Sequence, residues 1–162
     1  GPSPPEREVN PMGDEKFYYT EFFKKIANGQ KMLLNEGMSE YGITYVHSLV
    51  ILRLCYLSQQ FGTDYEVTQK DIENQLSLRA PTVTRILSRM EENGCIEKTR
   101  SSKDSRAKRI ILTEKGQRYY PLFFGVLDQV EAQMTQGMTQ EERLQLKGLL
   151  ERVLKNIENH KK

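Results

Sequence analysis

The stretch TQKDIENQLSLRAPTVTRILSRMEENGCIEKTRSSKDSRAKRIILTEKG, residues 68–116, decides the fold. It opens with Thr68 three residues before Asp71, a hydroxyl and a carboxylate spaced to satisfy backbone donors orphaned at a helix start. Ile72 and Leu76 give the segment one apolar side, so a short helix is expected over 68–76. Ser77 and Leu78 lead to Arg79-Ala80-Pro81, where proline suits a first helical turn because its missing N–H would have had no partner there. Val83, Ile86, Leu87 and Met90 then recur at helical spacing, and Gly94 after Asn93 supplies a left-handed stop. Two short runs, 95–100 and 108–112, flank the polar segment 101–107 and read as a hairpin. A short helix, a tight turn, a second helix and a hairpin make a helix-turn-helix followed by a wing.

The flanks read as helices. Tyr19, Phe22, Phe23, Ile26, Leu33 and Leu34 recur mostly at three-, four- and seven-residue steps, predicting a first helix over 16–38 that ends near Gly37. A largely buried second helix over 44–61 follows, stopped by Gly62-Thr63-Asp64. Past the hairpin, Thr113 caps a long helix containing Phe123, Val126 and Val130, in which Pro121 should kink the helix or sit near its first turns. Thr139 and Glu142 form a capping box for a last helix striped by Leu146, Leu149, Leu150, Val153, Leu154 and Ile157. The fold class is therefore mostly α with a small β-hairpin wing. Residues 1–14, rich in proline and charge, read as a disordered tail, with Gly1-Pro2 resembling an expression scar and Met12 a native start.

Charge is concentrated where the helix-turn-helix lies. Between Arg79 and Arg109 there are nine Lys or Arg against four acids, five positive charges in excess, although the whole chain carries only +2. A basic stretch inside a near-neutral chain is the electrostatic footprint of a nucleic-acid surface. If Val83, Ile86, Leu87 and Met90 face the core, then Arg79, Thr82, Thr84, Arg85 and Arg89 turn wholly or partly outward, where they can reach base edges or phosphates in a major groove. The hairpin loop presents Lys103, Arg106 and nearby Lys108 on a protrusion too polar for a core, with Asp104 placed to orient the Arg106 guanidinium as a bidentate pair.

These residues also carry a resemblance. Leu76, the run Pro81-Thr82-Val83-Thr84-Arg85, the segment from Met90 through Gly94 to Lys98, Asp104-Ser105-Arg106 and Ile111-Leu112-Thr113-Glu114-Lys115-Gly116 together resemble the MarR (multiple antibiotic resistance regulator) family over about a third of the chain. Cys95 departs from the aliphatic residue usual at the strand start, a change that a small hydrophobe tolerates. The resemblance implies a homodimeric transcription regulator, with dimerisation helices over 15–40 and 117–162 and a DNA-binding winged helix-turn-helix over 41–116. It implies a pseudo-palindromic double-stranded DNA site and, as the commoner mode, repression relieved by an effector. By the same resemblance Pro81 joins Arg79, Thr82, Thr84 and Arg85 as a candidate for groove contact, Thr68 and Gln69 become candidates for DNA backbone contact, and Arg89 for phosphate. It further implies an effector pocket for a small phenolic or lipophilic compound between the dimerisation helices and the DNA-binding part. Tyr19, Phe22, Phe23, Tyr45, His47 and Phe123 are its candidates, although aromatics at helical spacing serve a core or a dimer interface equally well.

Other classes find little support in the sequence. Nothing pairs a nucleophile with a base, and Gly13, Gly29, Gly37 and Gly62 share no phosphate-cradling spacing, so no enzyme is expected. His47 and His160 are the only histidines and show no paired His/Cys spacing, so neither a metal site nor a cofactor is expected. Cys55 and Cys95 lie in apolar, regular segments, as inert thiols in a reducing compartment would. With no apolar run of membrane length and no signal-peptide pattern, the expectation is a cytoplasmic protein without membrane contact. A winged helix built for protein contact would want an apolar outer face on its second helix, which the arginines here oppose.

Overall fold

The computed structural model describes residues 1–5 and 18–160. Its order is α1 (Tyr19–Ser39), α2 (Tyr45–Phe61), α3 (Gln69–Leu76), α4 (Ala80–Glu92), β1 (Ile96–Arg100), β2 (Lys108–Leu112), α5 (Glu114–Met134) and α6 (Gln140–His160). The strands form one antiparallel hairpin, with Ile96 opposite Leu112 and Arg100 opposite Lys108. Residues 1–5 are irregular and exposed, and the remainder of the expected tail, with the expected helix start at Lys16, lies outside the described residues.

One core holds α2, α3, α4, the hairpin and parts of α1 and α5 together. Val50, Ile51, Leu54 and Leu57 of α2 meet Ile72 of α3, Val83, Leu87 and Met90 of α4, Ile96 and Ile110 of the strands, and Phe123 and Val126 of α5. The α4 stripe is as expected, with Ile86 half-buried at its margin. Helix starts are fixed chemically. Thr44 accepts the His47 N–H, Thr68 and Asp71 form a reciprocal capping box, and Thr113 accepts the Gly116 N–H.

The turn between α3 and α4 passes through Ser77 in the left-handed region at φ 54°, a conformation held by the Leu78 N–H bonding to the Glu73 carbonyl at 3.1 Å. The hairpin is bolted to α5 through Thr113. Its hydroxyl donates to the Gly94 carbonyl at 2.6 Å and its N–H to the Cys95 carbonyl at 3.0 Å. A side chain at Gly116 would strike the Cys95 carbonyl oxygen, so only glycine lets α5 approach this closely.

Two boundaries differ slightly from expectation. Cys95 donates its N–H to the Met90 carbonyl, which makes it the end of the α4 turn, and the strand begins at Ile96. The first helix runs two residues past Gly37 to Ser39, with Met38 fully buried in its last turn. Pro121 sits inside α5, which continues through it with one internal hydrogen bond missing. In contrast to the body, α6 has no buried residue, and its Leu149, Leu154 and Ile157 are more than half exposed.

Candidate nucleic-acid interface

Burial divides α4 into two faces. Val83, Leu87 and Met90 are fully buried, Thr82 is half-buried, and Arg79, Pro81, Thr84, Arg85 and Arg89 are exposed. Arg79 occupies the N-cap without a side-chain capping bond, and Pro81 lies in the first turn, so the amide end of α4 is open to an anion. All the sequence-predicted residues of this helix thus reach the surface or its edge, on the side away from the core.

Thr68 and Gln69 have more specific roles than backbone contact requires. The Thr68 N–H donates to the Asp71 carboxylate at 2.9 Å while its hydroxyl takes part in the same box, so the side chain is engaged in starting α3. Gln69, the first residue of α3, donates its amide to the Thr84 hydroxyl at 2.9 Å and to the Ala80 carbonyl at 3.4 Å. This ties α3 directly to the exposed face of α4. Tyr65 also donates to Asp71, at 3.3 Å, and burial followed by the neighbouring carboxylate pushes its phenol up.

The wing loop exposes Lys103, Asp104 and Arg106, and Lys108 is exposed at the start of β2. Asp104 differs from the reading of the sequence. Its carboxylate accepts the Arg106 backbone N–H at 3.0 Å, an Asx-type turn, and among the described residues the Arg106 guanidinium has no carboxylate partner. The aspartate shapes the loop and leaves the guanidinium free to point outward.

Sequence reasoning missed the group that anchors this loop. Glu66, in the connector before α3, accepts the Ser101 hydroxyl at 2.6 Å, the Ser102 N–H at 3.1 Å and the Ser102 hydroxyl. Ser101 in turn accepts the N–H groups of Lys103 and Asp104 at 3.1 and 3.2 Å. The Ser101 and Ser102 bonds hold the Glu66 carboxyl down at about 2. Nearby, Arg109 turns from solvent to donate to the Thr63 carbonyl at 3.3 Å, and the Ile110 N–H bonds to the Val67 carbonyl at 2.8 Å. The base of the wing is therefore stitched to the segment that starts α3, which fixes the wing tip relative to α4.

Among the described residues the aromatic candidates do not form a single cluster. Tyr45 and Phe123 stack with centroids 6.5 Å apart, whereas Tyr19, Phe22 and Phe23 are exposed on the outer half of α1. His47 is half-buried, and burial followed by the Arg89 charge lowers its pKa, which places it near α4. A cleft of about 540 Å³ lies between α2, β2 and α5, lined by residues including Cys55, Arg109, Gln117 and Tyr120. Both thiols are pushed up by burial, away from the thiolate form a redox sensor needs. Among the described residues no three His, Cys, Asp or Glu group as metal ligands, and no helix is long and apolar enough to cross a membrane.

Comparison with known proteins agrees with this geometry. The profile of the family described as "Transcriptional regulator SarA/Rot" matches residues 32–120, more than half of the chain. The HTH-type transcriptional regulator YwoH of Bacillus subtilis, itself described as uncharacterized, is 43% identical over 54 residues, which are 33% of this chain and 39% of YwoH. The chain therefore spans well under two thirds of the length of that relative. The crystal structure of the S. aureus MepR–DNA complex is 26% identical, superposes with a TM-score of 0.68, and is covered over 99% of its chain by 87% of this one. The reduced form of MarR from E. coli, at 22% identity, shares the fold with a TM-score of 0.76 over 87% of this chain and 99% of its own.

Proposed function

The chain belongs to the SarA/Rot family of transcriptional regulators, within the MarR-type winged-helix proteins, and from that premise we propose that it binds duplex DNA sequence-specifically as a homodimer and represses nearby genes until an effector weakens binding. The observation that carries the reading is the split of α4. One face is locked into the core at Val83, Leu87 and Met90, and the other offers Arg79, Thr84, Arg85 and Arg89 with an open amide end. An α-helix of this kind fits a major groove, and the wing, fixed through Glu66, carries Lys103 and Arg106 toward the flanking backbone or minor groove.

Support for the homodimer comes from the exposed leucine stripe of α6 and the exposed aromatics of α1, since apolar stripes of this size are rare on surfaces that stay bare. Two α4 helices related by a two-fold axis would read a pseudo-palindrome with half-sites about one turn apart. The effector is a small phenolic or lipophilic compound, for which the aromatic residues near α1, α2 and α5 and the cleft beside Tyr120 offer apolar walls.

The test is fluorescence anisotropy with a duplex selected from a random library and with unrelated duplex, over a salt series. Saturable binding that favours the selected duplex and falls steeply with salt is expected. Arg106→Ala should weaken binding to every sequence, and Arg85→Ala should also change which bases are preferred. Equal affinity of both variants and the parent for the selected duplex would overturn the assignment.

A further inference from the structure

Gln69 and Thr84 are fifteen residues apart, yet their side chains are hydrogen-bonded at 2.9 Å on the exposed side of the helix-turn-helix. The polarity of that bond is set by a third atom. The Gln69 amide nitrogen also lies 3.4 Å from the Ala80 carbonyl oxygen, which can only accept, so the NH2 group and not the amide oxygen must face α4. Thr84 is then the acceptor. A threonine hydroxyl has one proton, and with a lone pair taken by Gln69 that proton is left to be donated elsewhere. Among the described residues it has no acceptor, and Thr84 is exposed. The chain of control starts further back, since the Thr68–Asp71 capping box fixes the first turn of α3 and so fixes Gln69.

Resting on the DNA-binding reading above, we propose that Gln69 is a positioning residue that occupies one of the two Thr84 acceptor sites and so biases its hydroxyl toward donating into the groove, favouring an acceptor edge at the base pair Thr84 meets. In the major groove that edge is purine N7, guanine O6 or thymine O4. The amino groups of adenine N6 and cytosine N4 would have to compete for the single lone pair that Gln69 leaves on Thr84, and so are disfavoured. Without Gln69 both acceptor sites of the hydroxyl are open and nothing restrains its rotation, so the discrimination would fade although the contact remained.

The experiment uses the full chain on a selected duplex in which each half-site position is replaced in turn by all four base pairs. Thr84→Val keeps the shape, removes the hydroxyl and identifies the position that Thr84 reads, where a preference of about two- to tenfold should be lost. Gln69→Ala should flatten the preference at that same position and at no other, and adding it to Thr84→Val should change nothing further there. Gln69→Glu, which can only accept from Thr84, should shift preference at that position toward exposed amino groups, on top of a uniform loss of affinity from its negative charge. An unaltered base profile in both Gln69 variants, with the parent still selective, overturns this proposal and leaves the DNA-binding reading standing. Absence of selective binding by the parent overturns both. Thermal melts of each variant separate lost discrimination from lost fold, and Thr84→Ser, which retains the hydroxyl, should keep the parental preference.

Discussion

The region from α2 to β2 and the α6 helix differ in how they satisfy their apolar side chains. In the first, Ile51, Ile72, Val83, Leu87, Met90 and Ile96 are buried within one chain, and the polar edges are closed by Glu66, Gln69 and Thr113. In the second, Leu144, Leu149, Leu150, Leu154 and Ile157 are all exposed on an equally regular helix. The helix-turn-helix therefore has its stability within the protomer, whereas α6 needs apolar surface from elsewhere, which under the proposed function is a second copy. Under the proposed function, reading DNA and assembling the reader fall to separate parts of the chain.

The comparison breaks if the two regions respond alike to truncation. Leu87→Ala should cost about 2–5 kcal/mol of folding stability in urea melts, independent of protein concentration, because Leu87 is fully buried and its removal leaves a cavity. Leu150→Asp should leave a melt of the body nearly unchanged but weaken self-association by about tenfold or more in sedimentation equilibrium, because a buried unpaired carboxylate opposes assembly. A concentration-independent loss for both substitutions would mean that α6 belongs to the protomer core.

Glu66 sharpens the same contrast from within the body. Free Glu66 would titrate near 4.5, and the Ser101 and Ser102 bonds hold it at about 2 in the folded protein. Its stabilisation is fully present above 4.5 and fades as the pH falls toward 2. Glu66→Gln should therefore speed amide exchange at the wing base at pH 7, with the difference from the parent shrinking below pH 4.5. A difference that persists unchanged at acid pH would show that charge is not what anchors the wing. The smallest effect belongs to Thr139→Ala, which removes the cap that accepts the Glu142 N–H at 3.1 Å. About 0.5–1 kcal/mol of α6 helix stability should be lost, read as reduced helicity by circular dichroism with no change in the melt of the body.

Most of the fold was legible because its signals are local. The Thr68–Asp71 and Thr139–Glu142 boxes, the α4 stripe and the glycine at 94 each act within four residues, and all appear as read. What escaped depends on distant pairs. Glu66 meets Ser101 across 35 residues and Gln69 meets Thr84 across 15, and neither connector nor helix start announces its partner. Asp104 was legible as a wing residue but not in its role, because a short acid two residues from an arginine can take either the backbone N–H or the guanidinium. The resemblance grouped Tyr19, Phe22 and Phe23 with Tyr45 and Phe123 as pocket candidates, and helical spacing alone does not say which of these aromatics a single chain buries.

The central claim, that two copies of α4 read two successive grooves while the wings flank them, is tested most directly by a hydroxyl-radical footprint of the parent chain on its selected duplex. The account predicts two protected segments centred about 10 base pairs apart, with outer protections that disappear in Arg106→Ala. A single protected segment, or outer protections that survive the loss of Arg106, would contradict it.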